Sequence, residues 1–285
     1  MSVTQPLKEW RPERQDEKLV RDLSDHQATA QIRGLLSLVS EDVMWWIRMG
    51  DAIDIVSLPR AFHESNHTVD LQLTQCQGNN ASYYFDGRTY TTNLKRGSVP
   101  PFVIAAEKIP KVFKSRPLGR YSNYFERTRP LPGNDLTILV DELNAYLTGA
   151  ELEVNLADTH LYRDAVKSEK YQSYDGNIEG AADFMLYILC YLKAVKEKNP
   201  EAYLRIKGSD QFVAHVQRLW RKAEKVFNEA RPYATQNGGI YFIDQSVLDT
   251  IYSEGYITEL RELGIQPGSM INIKASNPGK SQMYQ

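Results

Sequence analysis

Two histidines four residues apart, His63 and His67, lie in a segment whose punctuation at both ends confines it to helix. Ser57-Leu58-Pro59 opens it, because a hydroxyl at the cap can accept from the exposed amides of the first turn and a proline there needs no amide partner. Gln77-Gly78-Asn79-Asn80 closes it, so the pattern predicts a helix from about Leu58 to Cys76. Residues four apart on a helix share a face, one turn above the other, and their two imidazoles can reach a common point. Any fold of this chain has to present that face to something that uses it.

The rest of the chain reads as mostly helical. Apolar residues recur at three-to-four spacing from Asp16 to about Gly50, and Ser40-Glu41-Asp42 has the hydroxyl and early carboxylates of a helix start. After the histidine helix, Ser82 to Thr92 places aromatic and β-branched residues on both sides of Asp86-Gly87, which predicts a hairpin. Phe102 to Ala106 reads as a further strand, and the Pro-, Gly-, Arg- and Tyr-rich residues 114–133 as a long loop. Asn134-Asp135 can cap a helix through about Glu153. Further helices are expected over Ile178–Lys198, Asp210–Arg231 and Gln245–Leu263. The expected class is α+β, predominantly helical, with a small hairpin sheet and a C-terminal helical bundle. The expected organisation is an arm, 1–13, and a single catalytic domain, 14–285. That domain divides into a helical layer 14–56, a metal-site region 57–160, a helical part 161–266 and a polar tail 267–285.

The full motif is His63-Glu64-Ser65-Asn66-His67. Glu64 is turned about 100° from the histidine face, so it can approach a metal-bound water without ligating the ion. Two imidazoles suit zinc, and a catalytic zinc site commonly has three protein ligands and one open position for water. Such a water can have its pKa lowered to about 7, and Glu64 can take its proton and later hand it to a leaving amine. A third ligand is needed. Asp141 and Glu142 lie in a predicted helix whose members Ile138, Leu139, Leu143, Tyr146, Leu147 and Ala150 mark a buried face, and a carboxylate set in such a face needs a partner. The residues themselves leave the choice between the two open.

The motif resembles the zincin metallopeptidases. The metzincin branch has a third histidine six residues after the second with a glycine between; here those positions are Leu73 and Asp70. The gluzincin branch takes a glutamate from a later helix, and that resemblance implies Glu142 as third ligand, a zincin-like core, one zinc ion, a peptide or protein substrate and hydrolysis of peptide bonds. The family also implies a histidine or tyrosine that stabilises the oxyanion. Tyr146 and His160 are the candidates carried forward, with Tyr124 and Tyr121 also available; Tyr146 also reads as a core aromatic, the more frequent fate of a tyrosine in an apolar stripe, and His160 as a lone polar residue. Peptide deformylase, which uses the same motif, takes a cysteine ligand from upstream, whereas Cys76 and Cys190 both lie downstream.

Weaker patterns carry two readings each. Asp70 can orient a ligand imidazole through its second N–H, or sit on the surface. Glu179 and Asp183 can pair as carboxylates, or simply favour a helix N-terminus. The stretch Arg116 to Arg129 can line a cleft, or pack its aromatics into the core. His215 reads as a lone polar residue. A metal-dependent amidase acting on a non-protein or cell-wall amide, or a non-catalytic helical binding protein, would keep the same motif.

Composition sets outer bounds. With 34 basic and 36 acidic residues in 285, no charge excess argues for nucleic acid. Hydrophobic residues at 42% and charged residues at 25% are ordinary for a folded domain. The longest apolar run, Phe184 to Leu192, is too short for a membrane span. Two distant cysteines outside any C-x-x-C pattern exclude a thiolate finger, and two buried free thiols are expected rather than a bridge. The polar start Met1-Ser2-Val3-Thr4 lacks a signal-peptide layout. A glycan at the sequon Asn66-His67-Thr68 would crowd the metal site. A bacterial protein, cytoplasmic, periplasmic or exported, is the expectation these features leave.

Overall fold

A computed structural model describes residues 29–47, 58–115, 120–126, 133–157, 159, 176–233 and 245–268. The arm, His160, Ser57 and most of the polar tail lie outside the described residues. Among those described, the chain is predominantly helical with one two-stranded antiparallel sheet, as expected. No helix there is long and apolar enough to cross a membrane.

Helix α1 spans Ala30–Ile47. It runs through Ser40 without a break, so the start signal expected there is not used. Thr29 caps the helix instead, its hydroxyl accepting from the amide of Ile32 at 3.2 Å. The histidine helix, α2, spans Leu58–Cys76 as expected. The hairpin follows, with β1 at Asn80–Phe85, β2 at Arg88–Lys95 and Phe85 opposite Arg88. Its turn has Asp86 at φ 48° and Gly87 at φ 78°, the left-handed pair of a two-residue hairpin loop, which an Asp-Gly sequence tolerates.

Phe102–Lys108 is a 3-10 helix, not a strand. Pro101 fixes its entry, and its buried Phe102 and Ala105 share one side where a strand would have alternated. The expected long loop also contains helix: a single turn at Lys111–Lys114 and a π-helical turn at Ser122–Glu126. Within the described residues 120–126 the aromatics pack into the core, Tyr121 stacking on Phe125 and Tyr124 meeting Phe184 edge-on; Arg116, Arg127 and Arg129 lie outside the described residues.

Helix α3, Leu136–Leu156, starts where Asp135 accepts from the Thr137 amide at 2.9 Å. Helix α4, Asn177–Lys198, is buried nearly all round, which explains its apolar run: it is the central helix, packed against α3, the 3-10 segment and the C-terminal helices. Helix α5, Pro200–Lys207, was not anticipated, although Asn199-Pro200 is a capping signal, with the Asn199 side chain accepting from the Ala202 amide. Helix α6, Asp210–Ala230, lies across α3 and β2. The last expected helix is two, α7 at Gln245–Ile251 and α8 at Glu254–Glu262, separated at Tyr252-Ser253. Both cysteines are free; Cys190 is buried, its thiol pushed up to about 12 by desolvation, but Cys76 is exposed.

Candidate metal centre

Helices α2 and α3 pack along each other, and the face of α2 that carries the histidines meets the first half of α3. His63 Nε2 and His67 Nε2 are 3.1 Å apart. Glu142 Oε2 lies 3.3 Å from His67 Nε2 and 3.9 Å from His63 Nε2. Four tetrahedral zinc bonds of about 2.0–2.1 Å would set neighbouring ligand atoms roughly 3.3–3.5 Å apart. The three donors therefore fit one small ion, and one atom from each lies within 4.8 Å of the others. Glu142 Oε2 is buried and makes no aligned hydrogen bond, although His67 is at contact distance. A buried carboxylate oxygen is stabilised by positive charge beside it, from a protonated His67 or from a bound cation.

The immediate surroundings divide the two imidazoles. His67 Nδ1 lies 2.9 Å from Asp141 Oδ2. Burial alone would lower His67, but the charges of Asp141 and Glu142 and the hydrogen bond to Asp141 more than offset it and hold the imidazole well above its ordinary value. His63 is held well below, first by burial and then by His67, Arg120 and Arg60. Glu64 is half-buried beside the triad. Desolvation raises its carboxyl, Glu142 adds to that, and His67 and Arg60 oppose it.

Asp141 is thus a partner of His67, and Glu142 is the carboxylate that joins the histidines. Asp70 fits neither of its expected readings. It is buried, and its oxygens accept from the Tyr84 amide at 2.6 Å, Asn66 Nδ2 at 2.9 Å and Asn144 Nδ2 at 2.8 Å. Burial, then the charge of Asp141, holds it well above the carboxylate range. Asn66 is itself enclosed, accepting from Gln31 at 2.6 Å and Thr148 at 2.9 Å, so its sequon is closed to modification in this fold.

Tyr146 lies against His63, ring centroids 4.3 Å apart, and stacks on Phe184. Burial, followed by the charge of Glu142, raises the Tyr124 hydroxyl. Arg120, which the sequence did not single out, is buried with its guanidinium 4.7 Å from the Tyr146 ring centre and 3.2 Å from Asp183 Oδ2. Asp183 thus forms an ion pair with Arg120, and Glu179 lies in the first turn of α4, where an acid is favoured. His215 is far from these groups in its contacts, enclosed by Tyr83, Phe85 and Tyr90. Compared with known protein families, with curated proteins and with solved structures, the chain matches none.

Proposed function

We propose that the chain is a zinc-dependent metallopeptidase of gluzincin-like design, with His63, His67 and Glu142 holding one ion and Glu64 as general base. The observation that carries this reading is the convergence of His63, His67 and Glu142 on one point, next to a half-buried Glu64. Bound there, zinc would supply Lewis acidity toward a carbonyl and a more acidic water. Glu64 accepts the proton of the attacking water and delivers it to the departing amine; its raised carboxyl suits both halves of that exchange. Tyr146, against His63, is the phenol proposed to donate to the developing oxyanion. His63 and Glu142 are buried and His67 is only partly exposed, which limits competition from bulk water for their lone pairs.

The test measures bound zinc and peptide hydrolysis for the wild type, Glu64→Gln and Glu142→Ala. Glu64→Gln is expected to keep zinc and lose about 10²–10⁴-fold in kcat. Glu142→Ala is expected to lose zinc. Full activity in Glu64→Gln would sink the mechanism, and zinc binding without peptide hydrolysis in the wild type would move the reading to an amidase or a binding protein.

A further inference from the structure

Tyr146 lies one turn after Glu142 on α3, and its ring occupies a notch in α4. A Cβ at position 180 would lie 2.3 Å from both Cδ1 and Cε1 of Tyr146 and 2.8 Å from Arg120 Nε, so only glycine leaves room for the two side chains. We propose that Arg120 and Gly180 are positioning residues that fix the Tyr146 ring against His63. The purpose rests on the reading of Tyr146 as the phenol that meets the oxyanion; the geometry does not.

Gly180 is buried within α4 and has no positive φ, so the backbone there would accept another residue and it is the space that requires glycine. Four residues on, and therefore on the same face, Phe184 stacks on Tyr146 with ring centres 5.3 Å and planes 24° apart. The opening and its apolar floor thus belong to one stripe of one helix. Toward α2 the ring meets His63 edge-on, with centres 4.3 Å and planes 75° apart.

Arg120 closes the notch. Its guanidinium carbon is 4.7 Å from the Tyr146 ring centre, a cation over an aromatic ring. The same group is fastened twice to α4, with Nη1 3.2 Å from Asp183 Oδ2 and Nη2 donating to the Gly176 carbonyl at 2.9 Å. A planar guanidinium can keep two anchors and an aromatic contact at once, which a single ammonium cannot. Arg120 is 2% exposed, so its charge serves the interior and is not offered to solvent. A ring held along its Cδ1–Cε1 edge, by Phe184 and by Arg120 keeps its hydroxyl in one place, and a misplacement of about 1 Å at a reacting group costs on the order of 10²-fold in rate.

The test compares zinc affinity, kcat and KM for peptide hydrolysis in the wild type, Gly180→Ala, Arg120→Gln, Tyr146→Phe and the two double variants that include Tyr146→Phe. Gly180→Ala and Arg120→Gln should each lower kcat about 10²-fold and leave KM and zinc affinity unchanged. Neither should lower kcat further once Tyr146→Phe has removed the hydroxyl, because a ring without its oxygen has nothing left to place. The same loss in both backgrounds would make the two residues merely structural and overturn the proposal. Proton NMR of the His63 ring C–H groups in metal-free protein reads the geometry without the reaction. Gly180→Ala and Arg120→Gln should move those signals toward their positions in Tyr146→Leu, and unmoved signals overturn the proposal. If Gly180→Ala does not fold, Arg120→Gln carries both measurements. If the wild type hydrolyses no peptide, the metallopeptidase reading fails, while the His63 signals still decide whether Arg120 and Gly180 hold the ring.

Discussion

Asp141 differs from its neighbour Glu142 by one methylene and one position, and that difference separates their work. It reaches His67 Nδ1 at 2.9 Å, behind the ring, whereas Glu142 reaches the front. Asp141→Ala should therefore leave all three donors in place yet weaken zinc binding about 10–100-fold, with Asp141→Asn in between because it keeps an acceptor oxygen. Titration with zinc by calorimetry checks it; equal affinities would show that His67 needs no orientation. His215 offers a second prediction. Neither ring nitrogen has a partner, the ring stacks on Tyr83 at 4.4 Å, and burial followed by Arg218 holds it down to about 3. A histidine depressed in the folded state binds its proton more readily when unfolded, so stability is intact above about 6.5 and falls as the pH drops toward about 3. The charged groups near it are Arg218, over the Tyr90 ring, and Lys222, over Phe85. At about 1.4 kcal/mol per unit, the loss is of the order of a few kcal/mol. His215→Phe should flatten urea-derived stability across that window, and an unchanged slope would assign the acid lability to other groups.

At the scale of elements, α6 is held to α3 and the hairpin by a buried lysine. Lys222 Nζ is 2.7 Å from Glu151 Oε1 on α3 and 2.6 Å from Asp86 Oδ1 in the turn. Lys222→Met should cost about 3–5 kcal/mol, because it strands Glu151 as a buried charge, and adding Glu151→Leu should return much of that. Chemical denaturation of the single and double variants checks it; additive losses would show that the pair is not coupled. The elements legible in the sequence were those written in local signals. Leu58–Cys76 has its proline and its Gly-Asn stop, the hairpin has Asp86-Gly87, and α3 has Asp135. The failures came where packing decided. Phe102–Lys108 is apolar enough for a strand, yet lies as a 3-10 helix against α4. His63, Glu64 and His67 were readable because i,i+4 spacing is local chemistry. Glu142 needed the resemblance to rank it above Asp141. Arg120 carried no signal of its own, since its place over the Tyr146 ring depends on how the 120–126 segment folds back against α3.

For the whole molecule, the donors sit in front of a polar network that joins four elements. Gln31 of α1 donates to Asn66 of α2 at 2.6 Å, to Thr148 of α3 at 3.1 Å and to the Tyr84 carbonyl of β1 at 3.2 Å. Asn144 and Asp70 extend it across the same interface. Helices tied in this way cannot separate the histidines from Glu142 without breaking buried hydrogen bonds, so an ion held by all three binds the folded chain and not the unfolded one. Mass action then adds about 2.7 kcal/mol at a hundredfold excess of zinc over its Kd. At roughly 2–4 °C per kcal/mol for a domain of this order of size, Tm should rise by about 5–10 °C and fall back on chelation. Glu142→Ala should abolish the rise, because it removes one of the three donors that converge on the ion. Scanning calorimetry with zinc and with chelator reads both effects. An equal rise in Glu142→Ala would place the stabilising ion elsewhere.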